Sequence, residues 1–147
     1  MNSGFLLDTN VLSELMRTPP STQVLAWFSH NARALMFTSA ITQAEILTGI
    51  ALLPESKRRT ALAGACEAMF AQDFAGRCLP FDHLAAQQQA LIVAARIRQG
   101  RPISTEDSQI AAIAIACGLT LITRNTKDFD TIDRLVCANP WQDNAPH

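Results

Sequence analysis

The stretch Phe5-Leu6-Leu7-Asp8-Thr9-Asn10-Val11-Leu12 decides the fold of this 147-residue chain. Its first three residues form a continuous apolar run, which is typical of a strand buried on both faces. After Asn10, apolar residues recur at helical spacing as far as Met16, and Pro19-Pro20 ends the pattern. A strand followed directly by a helix, with an acidic residue at the junction, predicts the first unit of an α/β domain.

The rest of the chain repeats this alternation of short apolar runs and helical patterns. Extended runs are expected at residues 5–7, 34–39, 77–81, 119–123 and 135–137, and helices at 11–16, 24–28, 42–53, 56–72, 82–98 and 104–118. No repeat, low-complexity tract or linker interrupts them. The sequence therefore predicts a single α/β domain over residues 1–147 with a mostly parallel sheet.

Composition indicates a cytoplasmic globular protein. The chain is 48% hydrophobic and 17% charged, and it opens without a secretion signal. Its longest apolar run, residues 110–117, is well short of the roughly 20 residues that a membrane span requires. The four cysteines have no CxxC spacing, so reduced thiols are expected, and Cys117 is predicted to be a small buried core residue.

The charge of the chain is almost balanced. A formal net charge of −1 argues against a protein that holds nucleic acid by bulk electrostatics. Basic residues nevertheless cluster at 57–59, at 96–101 and at 124–127, and the first two clusters are expected to be solvated surfaces. The histidines, His30, His83 and His147, occupy positions that predict no catalytic role.

Four acidic residues lie at junctions between predicted strands and helices. They are Asp8, Glu45, Asp107 and Asp128. Because such junctions gather at the carboxyl edge of a parallel sheet, these carboxylates are expected to converge. Mg²⁺ and Mn²⁺ prefer oxygen ligands, and a bound ion can activate water against a phosphodiester. The pattern predicts a divalent-metal site at that edge.

Each acidic residue also has a purely structural interpretation. Asp8 can cap the helix that follows it, Asp107 can complete a capping box that begins at Ser104, and Asp128 can stabilise a turn. Glu45 is harder to explain in this way, since its helical neighbours form a small and partly apolar face on which an unpaired carboxylate would be costly. Both interpretations stay open for each residue.

The acidic residues belong to segments that together resemble a PIN-domain nuclease. The segments are Leu6-Leu7-Asp8-Thr9-Asn10-Val11-Leu12, Ile41-Thr42-Gln43-Ala44-Glu45-Ile46, Asp107-Ser108-Gln109-Ile110-Ala111-Ala112 and Thr123-Arg124-Asn125-Thr126-Lys127-Asp128-Phe129. The chain is similar in detail to the VapC toxins and their FitB-like relatives, including Asn139-Pro140-Trp141 near its end. The resemblance implies a three-layer α/β/α fold and a Mg²⁺- or Mn²⁺-dependent endoribonuclease, with transfer RNA as the family-level substrate. It also implies a homodimer, held inactive by a small antitoxin that carries the pair onto operator DNA.

The resemblance also assigns roles to residues. Asp8, Glu45 and Asp107 match the catalytic and metal-site acids of the family. A fourth acidic position of the family aligns with Asn125, which can coordinate a metal through its amide oxygen but carries no charge. Asp128, three residues later, can supply the missing charge instead.

Three further polar residues match supporting positions of the family. Asn10 and Thr123 are expected to orient the carboxylates by hydrogen bonds. Arg124 is expected to contact the substrate phosphate through its planar fork of donors.

Other functions are weaker interpretations of the same residues. A phosphatase of the haloacid-dehalogenase type would need a second acid where this chain has Asn10, and no P-loop motif occurs. A PIN-fold binding module that has lost turnover stays open because of Asn125. The apolar residues Ala61, Leu62, Met69, Phe70 and Phe74 are expected to form an exposed surface for a partner.

Overall fold

Five parallel strands form the centre of the molecule. The computed structural model describes residues 4–142, and in it the strand order is β3-β2-β1-β4-β5. The strands are β1 (Gly4–Leu7), β2 (Leu35–Ser39), β3 (Cys78–Leu79), β4 (Thr120–Ile122) and β5 (Cys137–Ala138). Every neighbouring pair is parallel, so all carboxyl ends lie at one edge of the sheet.

Helices connect the strands. They are α1 (Thr9–Leu15), α2 (Thr22–His30), α3 (Ala40–Ala51), α4 (Lys57–Ala68), α5 (His83–Arg98) and α6 (Thr105–Cys117). A π-helical turn (Met69–Asp73) extends α4, and a 3₁₀ turn (Thr126–Asp128) follows β4. The predicted elements are confirmed, but the helix predicted over 56–72 is divided at Met69.

The sheet is buried on both faces, which gives three layers. Because alternate residues of a strand point to opposite faces, Leu6 packs into one core and Leu7 into the other. The first core joins the sheet to α5 and α6, with Leu121 and Phe129 in it. The second includes residues of α1, α2, α3 and α4. The predicted three-layer α/β/α class is therefore confirmed.

Two predictions about exposure were wrong. Cys117 is exposed, because it ends α6 on its outer side, and the buried cysteine is Cys66. All four cysteines are free thiols. Arg96 is not on a solvated surface: it is only 5% exposed, since its side chain turns inward between α5 and the segment after β4.

The predicted apolar partner surface is also largely wrong. Met69 and Phe74 are 9% and 6% exposed, and Leu62 and Phe70 pack partly against the same core. These four side chains pack toward the core between the sheet and α1 to α4, so they are not available as a partner surface. Of the predicted set, Ala61 is exposed. No helix within residues 4–142 is both long and apolar enough to cross a membrane.

Candidate metal centre

The ends of the two central strands place the first residues of the site. Asp8 directly follows β1 and Thr123 directly follows β4, its neighbour in the sheet. The Asp8 backbone N–H donates to the Ile122 carbonyl at 3.0 Å, which extends the strand pairing to the edge. Asp8 and Thr123 are consequently adjacent, and both are buried.

Asp8 both caps α1 and contributes to the acidic crevice. Its Oδ1 accepts a hydrogen bond from the Val11 N–H at 3.2 Å, and the Thr123 hydroxyl and the Asn10 N–H also donate to the carboxylate. Burial, with a smaller contribution from the Asp107 carboxylate, nevertheless raises the pKa of Asp8 to about 6. The capping interpretation is therefore correct and does not exclude a role in the site.

Asp107 lies in the first turn of α6 and interacts with the other predicted acids. Burial raises its pKa most, and the carboxylates of Asp128, Glu45 and Glu106 raise it further, while a hydrogen bond with Ser104 opposes them. Its backbone N–H donates to the Ser104 hydroxyl oxygen at 3.1 Å, as the predicted cap requires. The Asp107 carboxylate also raises the pKa of Asp8. Asp107 therefore interacts electrostatically with each of the three other acids predicted from the sequence.

Glu45 approaches from α3, and its surroundings differ from the prediction. The predicted apolar face is turned to solvent, where Glu45 is exposed and Leu52 is 80% exposed. The Thr9 hydroxyl donates to Glu45 Oε1 and lies 3.2 Å from the Thr42 hydroxyl. Thr9 therefore contacts a predicted site acid, and the sequence offered a signal for it, since Thr9 directly follows Asp8.

The segment after β4 carries the two alternatives for the fourth position. The Asn125 N–H donates to Thr123 Oγ1 at 3.1 Å, and the Asp128 N–H donates to the Asn125 carbonyl at 2.9 Å. Asp128 faces the crevice closely enough to raise the pKa of Asp107. Both side chains are exposed, so each is accessible to an ion.

The remaining predicted residues contact the site differently. Asn10 has an exposed side chain and reaches Asp8 through its backbone N–H, not its amide. The exposed Arg124 places its guanidinium over the Trp141 ring, 4.7 Å from the ring centroid, and its carbonyl accepts a hydrogen bond from Asn139 Nδ2 at 3.1 Å. This packing fixes the Asn139-Pro140-Trp141 segment beside the end of β4. The phosphate contact of Arg124 stays a prediction.

A groove leads away from Glu45. It has a volume of about 460 Å³ and lies between α1, α3 and α4, with Thr9 beside Glu45 at one end. Two arginines, Arg17 and Arg58, line the same groove. Among the described residues Arg17 pairs with Glu14 at 3.3 Å, so Arg58 is left as the unpaired cation of the groove.

The histidines are located as predicted, away from strand ends. His30 is the last residue of α2 and His83 the first residue of α5, whereas His147 lies outside the described residues. The site chemistry is therefore carried by oxygen donors.

The donor set fits a hard divalent cation, although the carboxylates are not gathered at contact distance. Within residues 4–142, no three His, Cys, Asp or Glu side chains lie close enough together to hold an ion. Mg²⁺ commonly keeps several waters and uses one or two protein carboxylates, so a closer cluster is not required.

Comparisons with known proteins agree with this geometry. Residues 5–135 match the model of the PIN domain family. The chain is 41% identical over 138 residues to toxin FitB of Neisseria gonorrhoeae, covering 94% of this chain and 99% of that protein. It is 39% identical over 137 residues to VapC ribonuclease Y4jK of Sinorhizobium fredii, covering 93% and 97% of the two chains. The structure of FitAB bound to an IR36 DNA fragment has a TM-score of 0.84 at 37% identity, covering 97% of this chain and 99% of that one.

The family match removes the phosphatase interpretation, because nearly the whole chain matches the PIN domain instead. The resemblance seen in the four sequence segments is confirmed over nearly the whole chain. This chain belongs to the PIN-domain family, as a relative of the VapC and FitB toxins.

Proposed function

We propose that this chain is the toxin of a toxin–antitoxin pair and a Mg²⁺- or Mn²⁺-dependent endoribonuclease. One observation carries the proposal: Asp8 follows β1 beside the end of β4, and Glu45 of α3 accepts a hydrogen bond from the adjoining Thr9, so acids from separate segments lie at one edge of the sheet. Repulsion from the Asp107 carboxylate contributes to the raised pKa of Asp8. Such repulsion is unfavourable unless a cation occupies the crevice. The similarity to a VapC ribonuclease supports RNA as the substrate.

The catalytic and metal-binding residues in this proposal are Asp8, Glu45 and Asp107, with Asn125 and Asp128 as the candidates for a fourth ligand. A divalent ion in such a site lowers the pKa of water and stabilises the negative charge that develops on the phosphoryl oxygens. The chain itself orients Asp8 through the Thr123 hydroxyl and the backbone N–H groups at the start of α1. No histidine is needed as a general base.

The groove beside Glu45 supplies a path for the RNA. Arg58 lines it without an ion pair among the described residues, and the groove adjoins Glu45 at the acidic crevice. A phosphate backbone lying along the groove would be neutralised in part by Arg58 and would place a phosphodiester beside Glu45. Arg124 is a further candidate for a phosphate contact. Transfer RNA is the first substrate to test, and we place the reaction in the cytoplasm.

The partners in this proposal are a second copy of the chain and a small antitoxin that binds operator DNA. The similarity to FitB in a structure of FitAB bound to DNA supports both the antitoxin and its role on DNA. Because the predicted apolar surface is mostly internal, other side chains must form the interfaces. Leu47 of α3 and Leu52, which caps the end of α3, are exposed candidates, at 45% and 80%.

Cleavage assays test the enzymatic proposal. The purified chain is expected to cleave single-stranded RNA or transfer RNA with Mn²⁺ or Mg²⁺ and to stop when EDTA is added. The variant Asp107→Asn should be inactive, whereas Glu106→Gln, at the exposed neighbouring position, should stay active. Folded protein that binds the antitoxin but cleaves no RNA with either metal would favour the binding module instead.

The target sequence requires a separate experiment. Sequencing the 5′ ends of RNA shortly after the chain is expressed in cells is expected to give one dominant cleavage site in an unpaired loop, because sequence-specific readers engage unstacked bases. The Asp107→Asn variant should give no such ends. Cleavage scattered over all transcripts would contradict a specific toxin.

A further inference from the structure

Arg96 is a buried cation on the sheet-facing side of α5. Only 5% of it is exposed, although Arg98, two residues away on the same helix, is exposed. Burying a guanidinium is costly unless its donors are satisfied. Its position therefore points to a role beyond the surface charge that the sequence suggested.

The guanidinium binds two backbone carbonyls that are far apart in sequence. Arg96 Nε donates to the Arg101 carbonyl at 2.9 Å, and Nη1 donates to the Asp128 carbonyl at 2.9 Å. The rigid fork of an arginine can hold two acceptors in a fixed relation, which a lysine ammonium cannot do equally well. Arg96 thus ties the main chain at Asp128 to the end of α5.

No carboxylate neutralises this cation. Within residues 4–142 the ion pairs are Arg17–Glu14 and Arg101–Asp130, and neither includes Arg96. A well-packed apolar side chain is often at least as stabilising as a buried charge, so stability alone gives little reason for an arginine here. The specific property of this side chain is the pair of carbonyls that it holds.

Neighbouring contacts fix the same segment from outside. Arg101 Nη2 donates to the Lys127 carbonyl at 3.1 Å, and its Nη1 donates to Asp130 Oδ1 at 3.2 Å. Between them the Phe129 side chain is buried in the core, at 2% exposure. The main chain is therefore held at Lys127 and Asp128, and the side chains of Phe129 and Asp130 are fixed beside them. The 3₁₀ turn follows β4 at the edge of the sheet where Asp8 follows β1, and the Asp128 carboxylate contributes to the raised pKa of Asp107.

We propose that Arg96 is a positioning residue, which holds the main chain at Asp128 so that its carboxylate stays in the acidic crevice and contributes to binding the divalent ion. This inference rests on the proposed metal-dependent function. It assigns the fourth acidic ligand to Asp128 and explains how a residue on an exposed turn keeps a defined position.

Calorimetric titration of Mn²⁺ into the full chain tests the positioning role of Arg96. Arg96→Lys keeps the charge but not the fork, so the Mn²⁺ affinity should fall about 10-fold, the lower end of the effect typical of residues that orient metal ligands. The matched control Arg98→Lys should leave the affinity unchanged. Thermal unfolding of both variants reports whether they are folded.

The same substitution made in an Asp128→Ala protein separates a positioning role of Arg96 from a general loss of stability. In Asp128→Ala protein, which has lost the carboxylate, Arg96→Lys should cause no further loss of Mn²⁺ affinity. A merely structural role would lower the affinity equally in both backgrounds. If Arg96→Lys does not fold, Arg101→Ala gives the same comparison from the exposed side of the segment, with a smaller expected loss.

The outcomes distinguish this inference from the proposed function. Unchanged Mn²⁺ affinity in folded Arg96→Lys or in Asp128→Ala, or equal losses in both backgrounds, would overturn the role of Arg96. If the role of Arg96 is overturned but Asp107→Asn abolishes both Mn²⁺ binding and RNA cleavage, the proposed function still stands. If Asp107→Asn keeps both, the proposed function itself is wrong.

Discussion

Asp8 and Asp128 lie on different parts of the acidic crevice and are held in opposite ways. Asp8 is buried at the end of a central strand and accepts hydrogen bonds from the Thr123 hydroxyl and the Val11 and Asn10 N–H groups. Asp128 is exposed on a 3₁₀ turn, and only its main chain is fixed, by the Arg96 guanidinium. The buried acid is costly to ionise and is oriented by strand geometry, whereas the exposed acid depends for its position on a remote arginine.

Replacing the buried Asp8 is expected to have the largest effect on RNA cleavage. Asp8→Asn should reduce RNA cleavage by more than about 100-fold, because residues that merely orient ligands already cost 10- to 100-fold. Initial rates at saturating Mn²⁺ measure this loss. The control Asp133→Asn, at an exposed position, should keep full activity. Cleavage by Asp8→Asn within a few-fold of the natural chain would show that Asp8 is only a helix cap.

The stability of the metal-free protein should depend on pH through the same residue. The folded pKa of Asp8 is about 6, above its ordinary value of 3.8, so the folded state binds this proton more tightly than the unfolded state does. The stabilisation is complete below pH 3.8 and is lost as the pH rises through 6, with a total of roughly 3 kcal/mol. The raised pKa of Asp107 acts in the same direction.

Urea unfolding in EDTA at pH 4.5 and pH 8 measures that dependence. Asp8→Asn should be more stable than the natural chain at pH 8 and should show a smaller difference between the two pH values. A natural chain that is equally stable at both would contradict the burial cost assigned to Asp8. Added Mn²⁺ should restore stability at pH 8, because binding to the folded state alone is stabilising.

The contrast also explains which features the sequence could predict. Asp8 follows a continuous apolar run and precedes a helical pattern, so strand, junction and site were all predictable from local residues. The exposure of Glu45 was not, because helical spacing shows which residues share a face but not whether another element covers it. Arg96 looked like a surface cation for a related reason: its two carbonyl partners, at 101 and 128, carry no side-chain signal in a sequence.

Thr123 contacts both the buried and the exposed part of the crevice, and its replacement should cause the next largest loss of RNA cleavage. Its hydroxyl donates to Asp8, and the same oxygen accepts the Asn125 N–H. Thr123→Val keeps the buried shape but removes both contacts, so cleavage should fall about 10-fold. Thr123→Ser, which retains the hydroxyl, should recover most of the rate. Equal losses in both variants would indicate a packing effect instead.

Adding a negative charge on the exposed side of the crevice should have a smaller effect, which is measured on Mn²⁺ binding. Asn125→Asp should tighten Mn²⁺ binding by about fivefold, equivalent to the roughly 1 kcal/mol upper limit for an exposed ion pair. Titration calorimetry checks this, with Asn125→Gln as the uncharged comparison. An unchanged affinity in Asn125→Asp would place residue 125 outside the metal site and leave Asp128 as the fourth acid.

The smallest effect on cleavage is expected at Thr9, whose hydroxyl donates to the exposed Glu45. Thr9→Val removes the hydroxyl that donates to Glu45 Oε1 while keeping the branched shape. Because Glu45 is exposed, water can replace this donor, and a net hydrogen bond of this kind is worth about 0.5–1.5 kcal/mol. The rate constant for cleavage should therefore fall only about threefold, and Thr9→Ser should behave like the natural chain. The loss should be clearly smaller than that of Thr123→Val, since the buried Asp8 has no access to replacement water. If the two valine variants lose activity equally, exposure does not determine how strongly each acid depends on its neighbours, and the contrast between the buried and exposed parts of the crevice would fail.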